Sequence, residues 1–191
     1  MKHVLLLLAN GFEILEASAF IDVIGWNKQE GDGSTTLSSC ALTEKVKSSF
    51  GQKFIADYNI NAIDVNEFDA LAIPGGFEPY GFYEDAYSDA FVGIIQQFHK
   101  KQKPIASICV GALALGNAGL LINKNATTYP NTKRQTELQN FGALLSNAPV
   151  VVDNHMITSK NPSTAVEVAL QLLEWLTSVE NANKVRQLMG F

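Results

Sequence analysis

The segment Pro104-Ile105-Ala106-Ser107-Ile108-Cys109-Val110-Gly111-Ala112 joins a short apolar run directly to a helical pattern. The pattern predicts a buried strand over Pro104–Ile108 and a helix over Val110–Leu121. Small residues lie two positions before and two positions after Cys109, and they allow a sharp turn like the nucleophile elbow of hydrolases. This segment therefore favours an α/β fold whose site lies where the strand ends.

Apolar runs and helical patterns alternate on both sides of this segment. Further strands are predicted over Val4–Ala9, Thr35–Ala41, Asp69–Ile73, Ala126–Tyr129, Val150–Val152 and Met156–Thr158, with a small hairpin over Val46–Ala56. Further helices are predicted over Glu13–Lys28, Ser88–Lys101, Lys133–Phe141, Ser163–Thr177 and Ala182–Leu188. Strands separated by helices imply a doubly wound, mostly parallel sheet with right-handed crossovers and helices on both faces. We predict one such domain over residues 1–191.

Composition excludes several classes of protein. The chain has 191 residues, of which 47% are hydrophobic, so it can bury a core of its own, and two cysteines cannot form a disulfide scaffold. A net charge of −5 argues against a nucleic-acid partner. No apolar run is long enough to span a membrane, and the N-terminal run is too short for a signal peptide. We therefore expect a cytoplasmic protein with reduced thiols.

The topology predicts where function lies. Ligands of such sheets bind beyond the carboxyl ends of the strands, where three loops begin, at Asn10, at Pro74 and at Cys109. A cysteine at a helix start is expected to have a pKa below the free value of about 8.5. The alternative is that Cys109 is a small buried apolar residue. Cys40 has no such setting and is predicted to be buried and inert.

Four segments in order carry a resemblance to a known family. They are Ala9–Glu16, Ile73–Gly76, Ser107–Ala112 and Thr158–Thr164. Together they resemble the ThiJ/PfpI superfamily, of class I glutamine amidotransferase-like fold, and within it the branch of the parkinsonism-associated deglycase. The resemblance covers nearly the whole chain and implies a flavodoxin-like sandwich, a reactive elbow cysteine and a homodimer.

The resemblance assigns Glu16 as the acidic partner of Cys109. A thiolate and a carboxylate in contact repel each other, so the pair is expected to share a proton, with protonated Glu16 donating to the sulfur and moving protons in turnover. Gly75 and Gly76 permit close approach of the backbone, and their N–H groups with that of Val110 could hold an oxyanion. The alternatives are an exposed helix glutamate and a simple tight turn.

The chain lacks the histidine that a cysteine peptidase uses as a base. Val110 stands where peptidase branches of the superfamily have histidine after the cysteine, and Tyr129 replaces another family histidine as a hydrogen-bond donor. All three histidines are predicted to be solvated surface residues. The aromatic loop Phe77–Asp85 is expected to form a pocket wall or to pack on a partner subunit.

Three functions follow from these residues. The first is a cofactor-free glyoxalase or deglycase type of activity on a small-molecule carbonyl substrate through Cys109 and Glu16, as the family suggests. The second is a redox-sensing or stress-protective role through oxidation of Cys109. The third is an amidase or isonitrile-type hydrolase or hydratase. No nucleotide, dinucleotide or zinc motif is present, so no cofactor or metal is expected.

Overall fold

A computed structural model describes residues 1–191, which form seven α-helices and eleven strands. The helices are α1 (Ile14–Glu30), α2 (Phe82–Ala86), α3 (Asp89–Lys100), α4 (Gly111–Asn117), α5 (Thr132–Asn140), α6 (Ala165–Leu176) and α7 (Val179–Met189). The strands are β1 (Lys2–Leu8), β2 (Thr35–Ala41), β3 (Lys45–Lys47), β4 (Lys53–Ile55), β5 (Tyr58–Asn59), β6 (Ala70–Ile73), β7 (Ile105–Ser107), β8 (Asn125–Ala126), β9 (Leu144–Leu145), β10 (Val150–Asp153) and β11 (Met156–Ser159).

Seven strands form the central sheet, in the order β10-β11-β7-β6-β1-β2-β5. All neighbouring pairs are parallel except β10 and β11, which form an antiparallel hairpin with Val151 opposite Thr158. The N-terminal apolar run is strand β1, whose residues from Val4 to Leu7 are fully buried because both faces of the sheet are covered. The predicted doubly wound, mostly parallel sheet is thus confirmed.

The helices form two layers. Helices α1, α6 and α7 pack against one another, and α3 packs with α4 and α4 with α5 in a separate group. Helix α6 is amphipathic over its twelve residues and has a buried face that includes Val168 and Leu172. No helix in the molecule has the length and apolar character needed to cross a membrane.

Some predicted elements differ from the structure. The strand predicted over Ala126–Tyr129 is only Asn125–Ala126, and it pairs with β9 outside the central sheet. The helix predicted to reach Leu121 ends at Asn117, and Gly119 follows with a φ of +81°, which glycine adopts without strain. The aromatic loop Phe77–Asp85 contains a short 3₁₀ helix and the start of α2.

The prediction that the histidines are solvated surface residues is wrong, because all three are half-buried. The His3 ring packs on Phe68 at a centroid distance of 4.4 Å and bonds the hydroxyl of Ser38. His99 Nδ1 and His155 Nε2 lie 2.9 Å apart, so one ring donates a hydrogen bond to the other. That pair joins the end of α3 to the turn between β10 and β11.

The His99–His155 pair predicts a loss of stability at acid pH. Burial, His99 and Lys124 lower the pKa of His155 below its usual 6.5. The folded state therefore resists a proton that the unfolded chain accepts, and the free energy of unfolding falls as the pH drops through 6.5. Urea midpoints at pH 5.5 should be below those at pH 7.5.

A His155→Gln variant isolates the contribution of this ring. The difference between the two midpoints should shrink in the variant, because the group that must stay neutral in the folded state is gone. An equal pH dependence in the variant would show that other groups, such as half-buried His3, account for the effect.

Candidate active site

Cys109 occupies a strained turn between β7 and α4. Its φ of +56° lies in the left-handed region, which costs a non-glycine residue on the order of 1–3 kcal/mol. Hydrogen bonds hold the turn, since the Cys109 N–H donates to the Ser159 carbonyl at 2.9 Å and the Thr128 hydroxyl donates to the Cys109 carbonyl at 3.0 Å. The sharp elbow predicted from sequence is present.

Glu16 lies in the first turn of α1 and points into the protein rather than into water. Its side chain is fully buried, and Oε2 accepts a hydrogen bond from the Gly75 N–H at 2.6 Å. Oε1 is buried without a hydrogen-bond partner. Burying a carboxyl oxygen without a hydrogen-bond partner costs free energy. Because Oε1 has no partner, it is available to bind a proton or a ligand beside Cys109.

Gly75 lies close to both Cys109 and Glu16. A Cβ built on Gly75 would lie 2.9 Å from the Val110 nitrogen, 3.0 Å from the Cys109 Cβ and 3.0 Å from Glu16 Oε2. Only a residue without a side chain fits there. The glycine therefore permits Cys109 and Glu16 to face one another across a single backbone unit.

Replacing Gly75 by alanine should disrupt this arrangement. We expect a loss of about 1–3 kcal/mol in the free energy of unfolding, because the new methyl group overlaps backbone and the two site side chains. Gly93→Ala is the matched control, since nothing lies within 4 Å of its added Cβ inside α3, and it should be neutral or stabilising. Thermal denaturation compares the variants; equal melting temperatures would contradict the close packing.

The two acids share a buried environment that shifts both pKa values upward. Burial raises the pKa of Glu16 to about 8, although the hydrogen bond from Gly75 opposes the shift. Burial and the charge of Glu16 raise the pKa of the Cys109 thiol, and only the Val110 N–H directed at the sulfur lowers it. The prediction that the helix start depresses the pKa of Cys109 below its free value is therefore wrong. Burial of the thiol is the largest cause of the upward shift in its pKa.

Of the three predicted oxyanion donors, one is bound to Glu16, one is directed at the Cys109 sulfur and one is free. The Gly75 N–H is already bound to Glu16, so it is not available to a substrate as predicted. The Gly76 N–H has no acceptor within the protein, and the Val110 N–H faces the sulfur of Cys109. A Cβ at Gly76 would lie 2.2 Å from the Gly11 carbonyl oxygen, so only glycine fits at this position.

A cleft of about 380 Å³ opens onto Cys109. Of the residues predicted for the site, all line this cleft except Gly75; those that line it are Cys109, Glu16, Gly76, Val110 and Tyr129. Cys109 is 8% exposed there, whereas Tyr129 is 42% exposed. Cys40 is fully buried and does not line the cleft, and burial raises its pKa to about 12.

Sequence reasoning missed three polar residues of the cleft lining that lie outside the aromatic loop. They are Glu13, Asn131 and Arg134. Glu13 is the N-cap of α1 rather than a residue of its first turn, and Asn131 is the N-cap of α5. Asn131 before a predicted helix was a visible capping signal. No sequence signal placed Arg134 in the same cleft as Cys109.

None of the three histidines lines the cleft. The cysteine consequently has a carboxyl neighbour and no imidazole neighbour, in contrast to the pairing that activates peptidase cysteines. The aromatic loop contributes Phe77 and Tyr83 to the lining of the cleft. This agrees with its predicted role as a pocket wall.

A doubly wound sheet with a cysteine at a strained elbow and a buried glutamate beside it defines an α/β protein of the nucleophile-elbow class. The chain belongs to the DJ-1/PfpI family, whose model matches residues 2–175. The flavodoxin-like fold and the resemblance seen in the sequence are thus confirmed.

Relatives of known name support this assignment. The chain is 31% identical to Protein DJ-1 homolog A of Arabidopsis thaliana, over 98% of this chain but only 46% of that protein, so it spans about half of that relative's length. It is 30% identical to Deglycase TK1284 of Thermococcus kodakarensis, over 83% of this chain and 90% of that protein. The crystal structure of Drosophila melanogaster DJ-1beta superposes with a TM-score of 0.86 at 26% identity, covering 98% of this chain and 97% of that one.

Proposed function

We propose that the protein converts small 2-oxoaldehydes into 2-hydroxy acids without a cofactor, with Cys109 as nucleophile and Glu16 as proton carrier. The observation that carries the proposal is the buried Glu16 carboxyl, with Oε1 unpartnered, beside the elbow cysteine. The deglycase name of a relative 30% identical over most of both chains is consistent with chemistry on carbonyl adducts.

The first step is the addition of the Cys109 sulfur to the aldehyde carbon. The Cys109 thiol loses its proton to solvent, the thiolate forms the new carbon–sulfur bond as the carbonyl π-electrons move to oxygen, and that oxygen takes the proton of the Glu16 carboxyl to give a hemithioacetal. Because the pKa of Glu16 is about 8, the carboxyl holds a proton at neutral pH and can supply it. The N–H groups of Gly76 and Val110 are the donors for the oxygen while it is charged.

In the second step the former aldehyde carbon is oxidised and the neighbouring carbonyl carbon of the same molecule is reduced. Glu16, now a carboxylate, removes the hydrogen on the former aldehyde carbon as a proton, and the electron pair forms an enediolate whose negative charge lies on the oxygen of the neighbouring carbon. The hydroxyl proton on the former aldehyde carbon passes to that oxygen, and Glu16 returns its proton to the neighbouring carbon, which yields a thioester of the 2-hydroxy acid. Water then hydrolyses the thioester, which releases the acid and restores the thiol, so one water is consumed and no external oxidant or reductant is needed.

The test is the conversion of methylglyoxal to lactate by purified protein. Lactate should accumulate in proportion to protein concentration and time, in a buffer free of added thiols that could form the hemithioacetal themselves. Lactate formation no faster than in protein-free buffer would overturn the proposal. The redox role and the amidase or isonitrile role of the same thiol stay predictions.

A further inference from the structure

The cleft contains a group of hydrogen-bond donors that the reaction steps above do not use. We call this group the donor wall and define it as Tyr83, Asn131 and Arg134, all of which line the cleft with Cys109. The Tyr83 hydroxyl is buried and has no hydrogen-bond partner. The Asn131 side-chain oxygen caps α5 by accepting from the Arg134 N–H at 2.8 Å, which leaves its amide N–H groups without a protein acceptor.

Arg134 is held rigidly in the donor wall. Its guanidinium lies 4.4 Å from the centre of the Tyr83 ring, and it bonds Glu137 Oε2 at 2.9 Å and Glu78 Oε2 at 2.6 Å. Its side chain is only 11% exposed. A guanidinium has five N–H donors, so these two ion pairs leave donors for a ligand.

Arg134 is also the only cationic side chain that lines the cleft, whose other charged residues are the acids Glu13, Glu16 and Glu78. Lys133 holds the same oxygen of Glu78 at 2.6 Å, so that carboxylate keeps a cationic partner if an Arg134 N–H turns to a ligand. The donor wall is therefore the only part of the cleft lining that offers a positive charge to a ligand oxygen.

We infer that the donor wall binds the oxygen on the carbon next to the attacked carbonyl, and so selects 2-oxoaldehydes and 2-oxo acids over simple aldehydes. This inference rests on the proposed function, because it names the part of the substrate that Cys109 does not attack. In a 2-oxoaldehyde that oxygen gains negative charge in the enediol step, where hydrogen-bond donors stabilise it most.

Glyoxylate is an example of the 2-oxo acids, the second class of ligand. Its aldehyde carbon can add the Cys109 sulfur, and its oxygen takes a proton to give a hemithioacetal. Its neighbouring carbon is already a carboxylate, which the donor wall would hold by charge-assisted hydrogen bonds. No enediol step can follow toward a 2-hydroxy acid, so glyoxylate should bind reversibly and protect Cys109 without being consumed.

Two alkylating reagents of equal size test the inference without relying on turnover. Iodoacetate and iodoacetamide both lose iodide to the sulfur, and they place a carboxylate or a neutral amide on the carbon next to the attacked one. Rates of alkylation at Cys109 are measured by mass spectrometry, and the ratio of the iodoacetate rate to the iodoacetamide rate cancels changes in thiol ionisation. Arg134→Gln should lower that ratio by about ten- to a hundredfold.

Lys133→Gln is the matched control. It removes the same charge from the adjacent residue and from the same Glu78 ion pair, but Lys133 does not line the cleft. The ratio should change less than about twofold in this variant, since exposed charges act weakly through water. An equal fall in both variants would overturn the inference in favour of a long-range effect of charge.

A second variant keeps the test valid if Arg134→Gln folds poorly. Tyr83→Phe removes only the unpartnered hydroxyl and should also lower the ratio. Tyr87→Phe removes a hydroxyl that bonds Glu137 outside the cleft lining, and it should leave the ratio unchanged.

Glyoxylate should slow the alkylation of Cys109 by iodoacetamide in the wild-type protein and should protect Cys109 less in the folded variants. An unchanged ratio in both donor-wall variants would overturn the inference even if methylglyoxal is turned over. A lowered ratio without any lactate would instead leave the subsite supported and the proposed function refuted.

Discussion

Replacing Cys109 by serine should reduce the formation of lactate from methylglyoxal by about 10³-fold or more. The hydroxyl fits the same elbow, so the fold and the hydrogen bonds of the Cys109 backbone to Ser159 and Thr128 should persist. The serine oxygen is a far weaker nucleophile, and the cleft offers no imidazole to activate it. The rate is measured with an enzymatic assay of lactate at several methylglyoxal concentrations.

Cys40→Ser is the control for this variant. Cys40 is fully buried in the sheet and does not line the cleft, so its replacement should leave turnover per folded molecule unchanged. Retention of wild-type turnover in Cys109→Ser would show that another group performs the reaction. Loss of turnover in both variants would point to a general effect of thiol replacement on folding, which circular dichroism would reveal.

The alternation of apolar runs with helical patterns was sufficient to predict the sheet. Val4–Leu8 and Ala70–Ile73 are continuous apolar segments, and segments of this kind are buried on both faces wherever helices cover a parallel sheet. The elbow was also predictable, because the spacing of small residues around Cys109 is a local property of the chain. Short edge strands such as Tyr58–Asn59 were missed because two residues have no periodicity.

The polar part of the site could not be predicted in the same way. Arg134 reaches Glu78 across 56 positions of sequence, and nothing local to either residue shows that they line the same cleft as Cys109. The assignment of the Gly75 N–H to Glu16 likewise depends on a contact across 59 positions. The upward shift in the pKa of Cys109 follows from the burial of the thiol, which the sequence pattern of an exposed elbow did not reveal.

Replacing Glu16 by glutamine should change turnover and thiol reactivity in opposite directions. Turnover of methylglyoxal should fall by about 10²- to 10⁴-fold, because glutamine cannot carry the protons of the hemithioacetal and enediol steps. Alkylation of Cys109 by iodoacetamide should begin at lower pH, because the negative charge that raises the pKa of the thiol is absent. The isosteric amide keeps the volume of the buried side chain, so the elbow should remain intact.

The direction of the pH shift follows from the coupling of the two acids. In the wild-type protein Glu16 loses its proton with a pKa of about 8, and above that pH its charge opposes formation of the thiolate. In Glu16→Gln the thiol ionises with no such charge beside it, so the curve of alkylation rate against pH moves to lower pH.

Glu13→Gln is the matched control, since Glu13 also lines the cleft but is half-buried, and it should move the curve less. A curve that moves to higher pH in Glu16→Gln would mean that protonated Glu16 stabilises the thiolate by donating to it. That result would assign the shared proton to the carboxyl in the reactive state.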